Sequence, residues 1–248
     1  MNISFQIISD IHLETGIYHQ LKPKAPYLIL AGDIGYPETQ IYKDFMKQCS
    51  KKFKKIFYTS GNHEYYNKNN KNIKSIQEIE ESIKTVCLQF DNIYYLQNSY
   101  YDLDDNLRIV GTTLWSDIKI HKDDFNDYSN IYKSDKQLIT TIDTINMFNK
   151  NKEYLENIIR SSDKNILIIT HHLPSYEMIL SEYKFSEYIS YYASNIEYLF
   201  KKPVIGWVCG HSHGFNKKNI NDIPCIINAI GYSSEPRKGA SLNYTIEL

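Results

Sequence analysis

The stretch ISFQIISDIH, residues 3–12, begins with a short apolar run and ends in an aspartate and a histidine. An apolar run of this length is typical of a buried β-strand. Four later apolar runs also end in polar side chains: Gly32-Asp33, Gly61-Asn62-His63-Glu64, His171-His172 and Gly210-His211-Ser212-His213. In an open α/β sheet, ligands bind outside the carboxyl ends of the strands. The pattern therefore predicts one site to which five strand ends contribute.

Short β-rich runs alternate with helical patterns along the rest of the chain, which predicts an α/β protein. The predicted strands cover 3–9, 27–30, 55–58, 93–96, 107–114, 165–170 and 204–209, followed by short strands and turns after His213. The predicted helices cover 38–53, 73–90, 136–159 and 187–200. In the third helix we expect these apolar residues to face inward: Leu138, Ile142, Ile145, Leu155 and Ile158. With no internal repeat and no linker composition, we expect a single domain over 1–248.

Two polar segments interrupt this pattern. Residues 67–72, with the sequence NKNNKN, predict a mobile loop, and residues 60–66 predict a loop after the third strand. Residues 118–136 have weak periodicity and predict an excursion over the surface. The segments 67–72 and 118–136 are the two candidates for a cap beside the site.

The composition limits the class of protein. The chain has 248 residues, of which 42% are hydrophobic, so it can bury a core and is not disordered throughout. Its 28 Lys and Arg against 29 Asp and Glu give a formal net charge of -1, which argues against a protein that mainly coats nucleic acid or an anionic membrane. The arginines are Arg108, Arg160 and Arg237, so phosphate recognition must depend on metal, histidine, asparagine or backbone N–H groups.

The cysteines and the chain start favour a cytoplasmic protein. The first residues predict a strand rather than a signal peptide, and no stretch approaches the ~20 apolar residues of a membrane span. The cysteines are far apart and form no CxxC pair: Cys49, Cys87, Cys209 and Cys225. This spacing is typical of reduced, buried thiols and argues against a cysteine-based zinc site.

Each polar motif alone also has an ordinary structural explanation. Asp-x-His and Gly-Asp occur in solvated turns, and Gly-Asn-His-Glu could be a turn that caps a helix. His-x-His is a stronger metal signal because residues i and i+2 of an extended chain point to the same face. The occurrence of all five motifs, each at a strand end, favours a metal site.

In their order, the motifs resemble those of the calcineurin-like metallophosphoesterase superfamily over residues 7–213: Asp10-x-His12, Gly32-Asp33, Gly61-Asn62-His63-Glu64, His171 and Gly210-His211-x-His213. Glu64 stands where this superfamily commonly has aspartate. Residues 111–117, 126–128 and 228–235 are similar, more loosely, to a branch of small predicted phosphohydrolases. The resemblance implies a four-layer α/β/β/α sandwich, with two mixed sheets flanked by helices.

The resemblance also implies two metal ions. The first would be held by Asp10, His12, Asp33 and His213. The second would be held by Asp33, Asn62, His171 and His211, with Asp33 bridging the two. Mixed nitrogen and oxygen ligands suit Mn, Fe, Zn or Ni, and a hydroxide shared by two such ions would be the nucleophile that attacks phosphorus. His63 would be a catalytic residue that reaches the leaving-group oxygen or a phosphoryl oxygen.

Several assignments stay open at this point. His171 directly follows its strand and is the expected ligand, but His172 is an alternative. Glu64 could orient His63 or raise its pKa, or it could be an exposed loop carboxylate. Three further residues are candidate substrate contacts or ordinary loop residues: Asp127, Tyr128 and Asn228.

The leading hypothesis is a dinuclear metal-dependent hydrolase of phosphomonoesters or phosphodiesters. Its substrate would be a small-molecule or macromolecular phosphate ester; nucleic acid is possible but is not indicated by the charge, and the oligomeric state is open. The alternatives are a nuclease or nucleotide phosphodiesterase of the same fold, and a non-catalytic metal-binding interaction module.

Overall fold

A computed structural model describes residues 3–67, 72–121, 124–134 and 136–248. Its strands are β1 Ser4–Ile8, β2 Tyr27–Ala31, β3 Lys55–Thr59, β4 Ile93–Tyr95, β5 Ser99–Asp102, β6 Leu107–Thr112, β7 Asn165–Thr170, β8 Val204–Cys209, β9 Gly214–Ile220, β10 Ile223–Ala229 and β11 Thr245–Glu247. The helices are α1 Gln40–Lys52, α2 Ile76–Cys87, α3 Asp127–Asn130, α4 Thr141–Ser161 and α5 Ile189–Tyr192. Short 3₁₀ turns lie between them.

The strands form two mixed sheets. The first has the order β11-β1-β2-β3-β4, in which β1 to β4 are parallel and β11 is antiparallel to β1. The second has the order β5-β6-β7-β8-β10-β9, in which the four central strands are parallel and both edge strands are antiparallel. The parallel strands therefore end at one edge of each sheet, where polar side chains can meet.

The two sheets pack face to face through alternate residues of their strands. Phe5, Ile7 and Ile29 from the first sheet share a buried cluster with Leu167 and Val208 from the second. Burying each side chain of this size contributes roughly 1.5–3 kcal/mol. The alternate residues of the same strands pack in a second cluster that includes the inner faces of the long helices. This arrangement confirms the predicted four-layer α/β/β/α sandwich.

Side-chain caps decide where the long helices begin. Ser75 and Glu78 form a capping box at the start of α2, and Thr140 and Asp143 form another at the start of α4. Helix α4 begins at Thr141 rather than at residue 136. Two residues that were predicted to face inward do not. Leu138 lies before the helix and is 40% exposed, and Ile142 on the first turn is 64% exposed. The inward positions further along α4, such as Leu155, are buried as predicted.

Two other predicted elements differ from the structure. Residues 187–200 do not form one helix, because the chain there pairs with the loop after β7: the amide of Leu173 donates to the carbonyl of Tyr192, and the amide of Ser194 donates to the carbonyl of Leu173. The segment 118–136 is not only a surface excursion, since its residues Asp127 and Ile131 are buried. Strand β5 was not predicted; its residues alternate between half-buried and exposed positions at a sheet edge.

Three further expectations from the sequence concern the cysteines, membrane-spanning segments and the loop at 67–72. The four cysteines are free and buried. Among the described helices, none combines the length and the hydropathy of a membrane-spanning segment. The mobile loop predicted at 67–72 lies mostly outside the described residues, which stop at Asn67 and resume at Asn72.

Candidate metal centre

The predicted site residues converge at the carboxyl ends of five strands. Asp10 and His12 follow β1, Asp33 follows β2, and Asn62 follows β3; the remaining histidines follow β7 and β8. Three groups of side chains each bring three ligand atoms within 4.8 Å of one another; two of them consist of predicted ligands alone, and the third is His12, Glu14 and His63. The first group is Asp10, His12 and His213, and the second is Asp33, His171 and His211.

Within each group, the ligand atoms face each other. In the first group, Nε2 of His12 lies 3.1 Å from Nε2 of His213, which lies 3.6 Å from Oδ1 of Asp10. In the second group, Nε2 of His171 lies 3.1 Å from Nδ1 of His211 and 3.1 Å from Oδ1 of Asn62. The predicted ligand Asn62 therefore joins the second group through its amide oxygen.

Asp33 lies between the two groups. Its Oδ2 is 3.4 Å from Nε2 of His171 and 3.9 Å from Nε2 of His12. Its Oδ1 accepts a hydrogen bond from the amide of His63. A carboxylate with two oxygens and several lone pairs can serve both groups at once.

The backbone at these strand ends is strained. The φ angles are 54° at Asp10, 46° at His12, 54° at Asp33 and 66° at His211. A left-handed conformation at a residue other than glycine costs of order 1–3 kcal/mol and persists only where the surrounding structure fixes it. Four candidate ligands therefore owe their direction to strained turns, a feature that clusters at functional sites.

Three of the histidines are oriented by oxygen acceptors on the far side of the ring. Nδ1 of His171 donates to the carbonyl of Ala31 at 2.9 Å. Nδ1 of His12 donates to Glu14 at 2.9 Å, and Nδ1 of His213 donates to Glu235 at 2.6 Å. With the proton held on Nδ1, the lone pair of Nε2 points into the group, as is usual for metal-binding histidine.

Asn62 is oriented in a similar way. Its Nδ2 donates to Oδ1 of Asp127 at 2.8 Å, and the hydroxyl of Tyr66 donates to the same oxygen at 2.6 Å. This contact directs the amide oxygen of Asn62 toward His171. Asp127 is 4% exposed, so it acts through Asn62 rather than at an open surface.

The donor set fits divalent metal ions. The lone pairs of imidazole nitrogens that lie 3.1 Å apart repel each other unless a proton or a cation lies between them. Burial alone would lower the pKa of His171, but the Asp33 carboxylate raises it to about 10. Burial would raise the pKa of Asp33, yet His171 and His63 hold it well below its usual range. The Asp33 carboxylate therefore stabilises positive charge at the His171 side of the cluster.

The structure separates the two adjacent histidines. His171 belongs to the second group, whereas His172 lies outside both groups. Nδ1 of His172 faces the carbonyl of Thr113 at 3.4 Å, and its ring packs against Trp115 and His211. Burial, together with His171, lowers the pKa of His172 to about 3, so it packs as a neutral ring.

His63 shares a group with His12 and Glu14, beside the two groups of predicted ligands, and it is partly exposed. Its Nδ1 is 3.2 Å from Glu14, and its Nε2 is 3.3 Å from the hydroxyl of Tyr232. Its ring stacks on Tyr66 with the ring centroids 4.2 Å apart. Burial alone would lower the pKa of His63, but the Asp33 and Glu14 carboxylates raise it above its usual value.

Glu64 has neither of the roles considered from the sequence. It is 1% exposed, and its carboxylate accepts hydrogen bonds from the amides of Asp33, Ile34 and Gly61 and from the hydroxyl of Tyr58. It therefore holds the turns after β2 and β3 together instead of orienting His63. Burial, together with Asp33, raises its pKa to about 7.

Two candidate substrate contacts are buried and have partners within the fold. Asn228 is fully buried, and its amide bridges the carbonyls of Ile7 and Ser241. Tyr128 is buried, and its hydroxyl lies 3.3 Å from Oγ1 of Thr144. Both side chains pack inside the fold.

Sequence reasoning missed Glu14 and Glu235. Glu14 is two residues after His12, and Glu235 lies in the segment 228–235 that carried the looser resemblance. A carboxylate near a ligand in the sequence is a weak signal, because turns are rich in such residues. Their contacts with histidine Nδ1 atoms give both residues a place in the site.

Two mixed sheets between helices, with carboxylate and histidine ligands at the strand ends, define the metallophosphoesterase-like class of α/β proteins. The chain belongs to the calcineurin-like phosphoesterase family, whose model matches residues 3–215. This membership supports a metal-dependent phosphoesterase.

Individual proteins agree with that placement. An uncharacterised protein of Acanthamoeba polyphaga mimivirus is 37% identical over 224 residues, which cover 84% of this chain and 79% of the relative. The structure of a phosphopantetheinyl hydrolase from Mycobacterium tuberculosis matches with a TM-score of 0.73 at 15% identity, covering 100% of this chain and 96% of the other. A protein of Thermus thermophilus matches with a TM-score of 0.56 at 11% identity, covering 92% of this chain and 90% of the other. The two structures show the shared fold alone.

Proposed function

We propose that the protein is a dinuclear metal-dependent hydrolase of phosphate esters, built as a single domain over 1–248. The observation that carries this proposal is the position of Asp33 between two separate groups of ligand atoms. In this proposal Asp10, His12, Asp33 and His213 hold one ion. Asp33, Asn62, His171 and His211 hold the other.

Bound to these residues, two cations would supply positive charge for the phosphoryl oxygens and lower the pKa of the water that attacks phosphorus. The mixed nitrogen and oxygen donors suit Mn, Fe, Zn or Ni. In the loaded site His12, His171 and His213 would be neutral, because Glu14, the carbonyl of Ala31 and Glu235 each hold one Nδ1 proton and a cation would replace the proton on Nε2. Two divalent cations against the ligand carboxylates of Asp10 and Asp33 would leave a positive charge on the metals and their direct ligands, which favours a phosphate ester as substrate.

His63 is the proposed general acid. Because Glu14 holds the Nδ1 proton, Nε2 is the nitrogen that can give a proton to the leaving-group oxygen. The raised pKa favours the protonated form of His63, which a general acid requires. A well-placed acid of this kind contributes roughly 10²–10⁴-fold to the rate.

Location and substrate range belong to the same proposal. Four free, buried thiols are consistent with a reducing, cytoplasmic location.

A nuclease or nucleotide phosphodiesterase of this fold would use the same centre, so the substrate test below includes diesters. A non-catalytic metal-binding module is the outcome if bound metal gives no turnover.

The test is metal-supplemented hydrolysis of an aryl phosphomonoester and a bis-aryl phosphodiester, with Mn, Zn, Ni, Fe and Mg each supplied. We expect metal-dependent turnover by the wild type, and its loss in Asp33→Asn. His63→Ala should retain metal but lose roughly 10²–10⁴-fold in kcat. Asp44→Asn, which changes an exposed carboxylate on α1, is the matched control and should behave as the wild type. Metal-loaded protein that hydrolyses neither ester would contradict the proposal.

A further inference from the structure

A cavity of about 230 Å³ opens directly onto the candidate metal centre. Its floor is formed by Asp33, Asn62, His63, His211 and His213. Its walls are mainly aromatic and aliphatic: Tyr66, Phe125, Ile179, Tyr183, Tyr192 and Tyr232. A phosphate ester bound at the floor would place a substituent against these walls.

The aromatic walls fall into two parts that border different histidines. Tyr66 stacks on His63, and Tyr232 stacks on His12 with the ring centroids 4.2 Å apart. The second part borders His211, because the ring of Tyr192 lies 4.8 Å from the His211 ring and Phe125 packs edge-on against Tyr192 at 5.8 Å. The leaving group belongs beside His63, the proposed general acid. The part beside His211 is thus available to the group that stays on phosphorus.

The charges of the residues that line the cavity disfavour an anionic group on the part of the substrate that stays on phosphorus. Besides the candidate ligands and His63, the described residues that line the cavity include one charged residue, Glu235. Its Oε2 is 2.6 Å from Nδ1 of His213. The described lining contains no lysine or arginine. Lys238, which donates to the hydroxyl of Tyr183 and lies over its ring, is paired with Glu182. A second phosphate or carboxylate on the retained group would therefore lack a counter-charge.

The volume of the cavity sets the size of the group. A dry protein cavity of roughly 150 Å³ accepts one benzene molecule. The cavity of about 230 Å³ has room for one ring and the adjoining phosphoryl oxygens. Aromatic walls bind a flat ring better than a branched alkyl group, since the ring can stack on one wall residue and present its edge to the other.

We infer that the site acts on phosphodiesters whose retained arm carries an uncharged, planar ring, which Phe125 and Tyr192 bind. This inference rests on the proposed hydrolase function and names its substrate class. Hydrolysis adds one water molecule across a P–O bond: the water oxygen stays on phosphorus, and the departing oxygen leaves as the alcohol after taking a proton from His63. The product is the phosphomonoester of the ring-bearing arm.

The test compares nitrophenyl phosphodiesters that share one leaving group and differ in the retained arm. The phenyl arm carries an aromatic ring, the thymidine 5′ arm carries a nucleoside base, and the methyl arm carries no ring. We expect kcat/KM to be roughly tenfold higher for a ring-bearing arm than for methyl, equivalent to ~1.4 kcal/mol of stacking. A preference for phenyl identifies an aryl ester as the source of the ring, and a preference for thymidine identifies a nucleoside. Equal values for all three arms would overturn the inference.

Substitutions at Phe125 test the proposed contact. Phe125→Leu keeps the apolar volume but removes the ring, so the preference for the phenyl over the methyl arm should fall toward one. Phe125→Tyr keeps the ring and should retain the preference. Phe185→Leu is the matched control, because Phe185 is 99% exposed and lies outside the lining. A preference that persists in Phe125→Leu would contradict the assignment.

An equilibrium measurement separates this inference from the proposed function. The expected products, phenyl phosphate and methyl phosphate, are titrated calorimetrically into metal-supplemented wild type and Phe125→Leu. We expect phenyl phosphate to bind wild type roughly tenfold more tightly than methyl phosphate, and the difference to disappear in the variant. If no ester is hydrolysed, the proposed function fails, while the binding ratio still decides the ring site. Equal binding of both products to wild type would overturn the ring site.

Discussion

Glu14 orients two histidines at once. One oxygen of its carboxylate, Oε1, lies 2.9 Å from Nδ1 of His12 and 3.2 Å from Nδ1 of His63. Burial would raise the pKa of Glu14, but its hydrogen bonds to the two rings lower it to about 2. The residue therefore carries a full negative charge between a candidate ligand and the proposed general acid.

We predict that Glu14→Gln lowers kcat roughly 10–100-fold, the usual effect of removing a partner that orients a metal ligand. The alkaline limb of the pH profile should also move to lower pH. His63 must be protonated to act as an acid, and the lost carboxylate no longer raises its pKa. Steady-state kinetics over a pH series measures both effects. Glu38→Gln, at an exposed position, is the control, and an unchanged pH profile in Glu14→Gln would refute this role.

Glu80 allows a pH prediction away from the metal centre. Its Oε1 accepts hydrogen bonds from the hydroxyl of Tyr65 and from Nε2 of Gln97, and burial raises its pKa above 4.5. The folded state then binds this proton more tightly than the unfolded state, so the contribution of Glu80 to stability declines as the pH rises above 4.5.

We predict that Glu80→Gln raises the free energy of unfolding at pH 7 by roughly 0.5–1 kcal/mol, because glutamine keeps an acceptor oxygen without the charge. The gain should disappear at acidic pH, where Glu80 is protonated in both states. Urea denaturation at several pH values measures it, with the exposed Glu81→Gln as control. A variant less stable than wild type at pH 7 would show the reasoning to be wrong.

At the scale of elements, α3 connects the segment 118–136 to the centre. Asp127, its first residue, holds the amide of Asn62, and Phe125 just before it lines the cavity. One short helix thus orients a candidate ligand and brings a ring to the substrate. This contact gives a physical basis to the proposal that this segment forms a cap.

We predict that Asp127→Ala weakens metal binding roughly 10–100-fold while the protein stays folded, because Asn62 loses the acceptor that fixes its amide. Metal affinity measured by competition with a chromogenic chelator tests this expectation. Ser129→Ala, at an exposed position on the same helix, should bind metal as wild type does. Equal affinities in all three proteins would rule out the contribution of Asp127.

The elements that could be predicted are those whose own residues show the apolar pattern of a buried strand or of an amphipathic helix. Buried parallel strands such as β7 and β8 have nearly continuous apolar runs, and their ends carried the motifs. The edge strand β5 has no such run, and 187–200 has a helical composition but pairs with the loop after β7. The candidate ligands could be found because they lie within short motifs. Their orienting groups could not, since Ala31 contributes a backbone carbonyl and Glu235 lies 22 residues along the chain from His213, the histidine that it contacts.

At the scale of the whole molecule, the centre depends on how the two sheets are joined. Asn228 at the end of β10 donates to the carbonyl of Ile7 on β1 at 2.6 Å and to that of Ser241 at 2.8 Å, and it accepts from the amide of Ser241. Next to it, the amide of Ser9 donates to the carbonyl of Asn228. These bonds hold Asp10, on the first sheet, beside the histidines of the second.

We predict that Asn228→Ala lowers the free energy of unfolding by roughly 2–4 kcal/mol, because one buried and two part-buried backbone groups lose their partner. Urea denaturation measures this loss. Asn219→Ala, at an exposed position on β9, should change stability by less than about 0.5 kcal/mol. Similar stabilities for the two variants would contradict the joining role of Asn228.

The central claim, that Asp33 serves two metal ions in a hydrolytic centre, is tested most directly by titration. Metal is added to metal-free protein while bound ions per chain and phosphodiester hydrolysis are followed together. We predict that activity in the wild type reaches its maximum at two bound ions per chain, and that Asp33→Asn binds fewer ions and stays inactive. Full activity at one bound ion, or no activity at two, would contradict the dinuclear hydrolase.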